Sequence, residues 1–159
     1  MVQFDRKLRF RCSRCGRCCS GALGRVALEL YPSDIEALKN YGYEDFYYTD
    51  DKGRLRMMNG EHGSCIFYRG HLCGLMLDHG FFPWNCQVYP LRCVEMKDFF
   101  LIEINPHAVD SCPGIGKGWQ IKDTLLPELV RGIVSIKVMK DPRALPMDIA
   151  LSLANVYWG

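Results

Sequence analysis

Residues 12–19 read Cys-Ser-Arg-Cys-Gly-Arg-Cys-Cys, so one stretch of eight residues holds four of the chain's nine cysteines. The other five, Cys65, Cys73, Cys86, Cys93 and Cys112, lie in the middle of the chain at spacings that suit loops rather than one helical face. A chain so provided is organised either by disulfides or by bound metal, and the compartment decides which. The N-terminal stretch is charged, with no apolar run or small-residue cleavage site behind it, so it does not read as a secretory signal. The expected location is the cytoplasm, where disulfides are uncommon and clustered thiols bind metal or do redox chemistry. Nine is odd, and adjacent Cys18 and Cys19 cannot pair without strain, which sets a secreted disulfide framework aside. The chain reads as a protein built on bound metal.

Spacing narrows the kind of metal. Thiolates at i, i+3 and i+6 in a loop containing Gly16 can turn inward around one centre, which is how three corners of an iron–sulfur cube are commonly held. Zinc more often takes two ligands from each of two short knuckles. The remaining ligand must come from far away, and Cys112 is a candidate because Pro113 follows it. In an extended backbone the side chains of Cys18 and Cys19 diverge, so one of them is expected to serve a different site. Setting Cys93 aside leaves eight cysteines, the number that two four-thiolate sites require.

These residues resemble a family of small cysteine-cluster proteins described as zinc- or iron-chelating domains, whose hallmark is Cys-x-x-Cys-x-x-Cys-Cys. Phe10-Arg11-Cys12-Ser13-Arg14-Cys15-Gly16-Arg17-Cys18-Cys19 looks like the opening motif. Cys65-Ile66-Phe67, Cys73, and Pro83-Trp84-Asn85-Cys86-Gln87-Val88-Tyr89-Pro90 are similar to the later pattern, and Cys112-Pro113-Gly114-Ile115-Gly116 to its close. The resemblance covers residues 8–118 and implies that Cys12, Cys15, Cys18, Cys19, Cys65, Cys73, Cys86 and Cys112 are metal ligands, with Cys93 outside the pattern. A related motif occurs in flagellin lysine methylase, where it looks associated with an iron–sulfur cluster. The resemblance therefore ranks an iron–sulfur cluster, with 4Fe–4S the first candidate, above zinc.

Other features are read against this centre. A formal charge of +2 with 24% charged residues supplies no strong field, so neither nucleic acid nor a membrane surface is expected as a partner. No apolar run approaches the roughly 18 residues of a membrane span. An unidentified protein is the expected partner, and oligomeric state is not legible. His62, His71, His79 and His107 are expected at the surface or behind the ligands, since eight cysteines suffice. Phe81–Trp84 can wall the site or join the core. Gly114, Gly116 and Gly118 follow no strand and lack a dinucleotide fingerprint, so they read as a turn that lets backbone approach Cys112. Arg11, Arg14, Arg17 and Arg25 bring positive charge around the thiolates. Hydrolase and phosphate-loop motifs are absent, so any catalysis belongs to the metal centre itself.

At 159 residues the chain is one domain long. The expected fold is α+β: one small domain over 1–159, with short strands and helices around the cysteine region of 8–118 and a helical tail over 119–159. Ser33-Asp34-Ile35-Glu36 has a capping-box pattern opening a helix over 33–41, closed by Gly42. Strands are expected at 26–31, 54–58, 65–68 and 99–104. Residues 123–139 are dense enough in apolar side chains for a buried helix, with strand the competing reading because β-branched residues crowd its second half. Pro146 can open a last helix ending near Trp158. The functional expectation is a cytosolic iron–sulfur protein in redox chemistry or in modification or maturation of another protein. The alternatives are a structural zinc-binding interaction module without catalysis, or a metallochaperone.

Overall fold

The computed structural model describes residues 2–158; the side chains of residues 156–158 lie outside the described set, among them those of Val156 and Trp158 on the expected last helix. The fold is mixed α and β, as expected. In chain order the strands are β1 (Val2–Phe4), β2 (Arg9–Phe10), β3 (Glu29–Leu30), β4 (Tyr47–Thr49), β5 (Leu55–Met57), β6 (Tyr68–Arg69), β7 (Leu72–Cys73), β8 (Leu91–Glu95), β9 (Phe100–Ile104) and β10 (Ile115–Gln120). The α-helices are α1 (Pro32–Asn40), α2 (Gly74–His79), α3 (Trp84–Val88), α4 (Leu125–Met139) and α5 (Met147–Trp158). Among the described residues no helix is long and apolar enough to cross a membrane. The chain divides into two compact units, Cys12–Gln87 and the N-terminal residues through Arg11 together with those from Val88 onward.

In the Cys12–Gln87 unit, β3, β5 and β4 form an antiparallel sheet in that order, with Leu30 opposite Leu55 and Tyr47 opposite Met57. Leu30, Ile35, Leu38, Phe46, Met57, Cys65 and Leu75 make its buried core, and Cys19, Tyr43, Phe67, Cys73 and Phe81 pack against it. Helix α1 begins earlier than the sequence pattern suggested. Tyr31, not Ser33, is the N-cap, because Pro32 fits the first helical position and the Asp34 carboxylate accepts the Tyr31 N–H at 3.0 Å. Its end is as expected: Gly42, at φ +92°, donates to the Lys39 carbonyl. The expected strand at 65–68 is mostly a turn, with Cys65 in an isolated bridge to Asn59 and only Tyr68 in β6. The strand at 26–31 shrinks to Glu29–Leu30.

The other unit carries a sheet in the order β1-β9-β8, β1 running parallel to β9 and β8 antiparallel to it. Strands β2 and β10 pair separately, with a bulge between Ile115 and Gln120. Of the glycines expected in a turn, Gly116 and Gly118 lie in the bulged strand β10 and Gly114 just before it. Gly114 serves a close approach to Arg11 rather than to Cys112, since a Cβ there would collide with the carbonyl oxygen of Arg11, and the Gly114 carbonyl accepts the Arg11 N–H at 3.1 Å. Residues 125–139 are helix rather than strand: α4 packs on α5 through Val134, Ala150 and Ala154, with Val130, Leu145 and Leu153 around them. Arg131 fixes the connection by donating to the carbonyls of Leu145 at 2.9 Å and Arg143 at 3.1 Å.

Candidate metal centre

The cysteine loop is shaped by its glycine. Gly16 is buried at φ +73°, a conformation open to glycine, and a Cβ there would run into the carbonyl oxygen of His71. Its own carbonyl accepts from the N–H groups of Cys19 at 3.2 Å and Ser20 at 2.9 Å, which curls residues 16–20 into a turn. The Cys19 thiol also points to this carbonyl, at 3.4 Å. The loop thus lies against the segment that carries Cys65 and Cys73.

Backbone and one amide lock the two segments together. The Cys65 N–H donates to the Cys19 carbonyl at 2.9 Å, and the Val26 N–H to that of Gly63 at 2.9 Å. Asn59 donates from Nδ2 to the carbonyls of Val26, Gly63 and Ser64 at 2.6, 3.3 and 3.2 Å, while its Oδ1 accepts from Arg25 Nε at 2.7 Å. Arg25, expected only as charge around the thiolates, is part of this clamp. Nothing in the sequence around Asn59 marked it.

Cys73 ends β7, with Tyr68 of β6 opposite it. Cys86 sits in α3, whose first residue is tied down from α1: Asp34, wholly buried, accepts the Trp84 N–H at 2.9 Å. Asn85 Nδ2 adds a bond to the Glu29 carbonyl at 3.0 Å. Trp84 and Pro83 are buried, so the Phe81–Trp84 segment belongs to the core. His79 lies behind the core, stacked on Tyr41 with ring centres 4.1 Å apart and bonded through Nε2 to the Tyr43 hydroxyl at 3.0 Å. His62, His71 and His107 are exposed.

The thiols also shift one another's titration. Hydrogen bonding from the Cys19 thiol brings Cys18 down from 9.0 to about 7, against the opposing effect of burial. Cys19 is pushed far up by its bond to Cys18, by burial, and by the nearby sulfurs of Cys18, Cys65 and Cys73. Burial pushes Cys65 up to about 11, with Cys73 and Cys18 adding to it. Cys86 is held well above the ordinary thiol range by burial, then by Cys65, Cys18, Cys73 and the Asp34 carboxylate. Cys19 and Cys73 pack against the core that holds Cys65, and Cys18 and Cys86 are coupled to them electrostatically.

Cys12 and Cys15 are exposed on the loop, Cys12 accepting the Arg14 N–H at 3.4 Å. Cys112 follows a 3₁₀ turn in the other unit and donates its N–H to Ala108 at 2.9 Å. Cys93 projects from β8, exposed, its thiol raised to about 11 by local burial and by Glu95. Among the described residues no three His, Cys, Asp or Glu side chains stand in metal-binding geometry. The five neighbouring sulfurs are a soft donor set suited to zinc, iron or an iron–sulfur cluster, and binding would require their side chains to converge. A cavity of about 460 Å³ by Lys39, Tyr43, Glu44, Asp45 and Tyr47 includes no cysteine in its lining. No family model, curated protein or solved structure matches the chain.

Proposed function

We propose that this is a cytoplasmic cysteine-ligated metal protein, with an iron–sulfur cluster as its preferred group and redox chemistry, or modification or maturation of another protein, as its role. The observation that carries this reading is the packing of Cys19 and Cys73 against the core that holds Cys65, with the Cys65 N–H bonded to the Cys19 carbonyl at 2.9 Å; the electrostatic effects of these sulfurs on Cys18 and Cys86 support it. Such thiols hold one another in the protonated form, and a soft cation that displaces the protons can use the grouped sulfurs as ligands. The motif resemblance supports the same ligands and favours iron–sulfur. A cluster held there would supply reversible electron exchange. The chain's own part is to orient the sulfurs through Gly16, Asn59 and Asp34, and to limit water through the core around Cys65.

One observation favours the structural zinc module instead: Cys65 is buried in the core and Cys19 and Cys73 pack on it, the surroundings of a closed site. Anaerobic redox titration followed by electron paramagnetic resonance separates the two. A reversible paramagnetic signal supports the iron–sulfur reading, and stoichiometric zinc with no redox-active signal supports the module.

A further inference from the structure

The ribbon of β2 and β10 belongs wholly to the unit outside Cys12–Gln87, and the metal reading gives it no work. Trp119 on β10 is 74% exposed, the most exposed large apolar side chain among the described residues. An indole left in water has a broad apolar face to cover and one N–H to satisfy, which is why tryptophan is enriched where proteins meet. The chain beside it is rich in cations: Lys7, Arg9 and Arg11 on and around β2, Lys117 on β10 and Lys122 just after it are all exposed. Among the described residues none of these five forms an ion pair.

The ribbon's geometry brings these groups together around Gly118, which stands between Lys117 and Trp119. Arg9 donates from Nη1 to the Gly118 carbonyl at 2.9 Å, spending one N–H of its guanidinium and leaving the others for a ligand. A Cβ on Gly118 would stand 2.6 Å from the Cβ of Arg11, so the base of that side chain lies against the same residue. The Ile121 N–H donates to the Leu8 carbonyl at 3.0 Å, and Ile121 is fully buried, which sets Lys122 beside the stretch that carries Lys7. Two guanidinium forks and two ammonium groups thus border one exposed indole.

We propose that the β2–β10 ribbon is a docking surface for an acidic segment of a partner protein, whose Asp and Glu side chains pair with Arg9, Arg11, Lys117 and Lys122 while an apolar side chain covers Trp119. Guanidinium forks match carboxylates two bonds at a time, and Trp and Arg are the residues on which binding energy concentrates. Nucleic acid fits this surface less well. A platform for bases needs successive exposed aromatics, and the ribbon's other aromatic, Phe10, is half-buried opposite Ile115. Asp5 and Asp123 also border the basic strip along the chain, so no continuous positive track exists for a phosphate backbone.

Fluorescence anisotropy on the full chain tests this with three dye-labelled probes: a short peptide of Glu and Asp around one central Leu, the same peptide with Lys in place of every acid, and a single-stranded oligothymidylate. The acidic peptide should bind most tightly, and more weakly as salt is raised. Trp119→Ala and Lys117→Glu should each weaken it about tenfold. Both side chains are exposed, so both variants should keep the wild-type fold and metal content, and the test stands apart from the metal reading. Failure of the acidic peptide to bind, binding unchanged in both variants, or equal binding of the Lys peptide overturns the proposal. Tighter binding of the oligothymidylate overturns it too, in favour of a nucleic-acid surface.

Discussion

At the scale of single residues, the thiols are set apart by what surrounds each sulfur. Cys18, lowered to about 7 by the Cys19 thiol, is a thiolate above that pH, whereas Cys65, raised to about 11 by burial, stays protonated there. In chelator-treated protein, alkylation of Cys18 should therefore rise with pH through about 7 and level off above it, and Cys18→Ser should remove that phase. A first reactive phase that appears only above pH 9.0, the ordinary thiol value, would contradict the pairing with Cys19. The ligand assignment makes its own demand: Cys73→Ser should lower bound metal and Cys93→Ser should leave it unchanged, because a serine hydroxyl is a poor substitute for a soft thiolate and Cys93 stands outside the group. Equal loss from both would show Cys93 to be a ligand. The Cys-x-x-Cys-x-x-Cys-Cys run made the thiols legible, but not Asn59 or Asp34, since an amide or carboxylate acting through backbone N–H and carbonyl groups leaves no spacing to read. Nor did spacing reveal that Gly16 is required by the His71 carbonyl from another stretch of chain.

Elements were legible where local chemistry decided them. Gly42 closes α1, and the apolar stripe of 125–139 is helical despite its β-branched residues because its face is covered by Ala150 and Ala154 of α5. The short strands were not legible, because two-residue elements such as β2, β6 and β7 exist through their partners rather than through their own periodicity. Two substitutions probe these elements in opposite directions. Asp34→Ala strips the buried Trp84 N–H and the Tyr31 N–H of an acceptor, and should destabilise the protein by about 1–3 kcal/mol in denaturant unfolding. It should also speed alkylation of Cys86, because the start of α3 is no longer held. In α4, the Ser135 hydroxyl is fully buried with no hydrogen-bond partner among the described residues, so Ser135→Ala should stabilise by about 1 kcal/mol. A Ser135→Ala variant that unfolds at lower denaturant would mean that the hydroxyl is bonded after all.

On the scale of the whole molecule, the sequence foretold the α+β class, while the division into two units was hidden: the N-terminal strand β1 pairs with β9, a long-range choice with no local signature. Within the Cys12–Gln87 unit the loop of residues 12–19 has no regular secondary structure beyond a turn, and its order rests on Gly16 and on contacts with the stretch around His71. Metal binding is expected to supply part of the folding free energy there. Chelation should lower the melting temperature, with amide exchange quickening first across 12–19; unchanged melting and exchange would separate metal from stability. Once chelated, the protein should also lose stability in alkali. A thiol raised from 9.0 to about 11, as at Cys65, lends stability that is full below pH 9.0 and fades as the pH climbs toward about 11. The central claim is that the gathered thiols hold metal, and the most direct measurement is metal content together with acid-labile sulfide on anaerobically purified native protein. The account predicts stoichiometric iron with matching sulfide; native protein that carries neither iron nor zinc would contradict it.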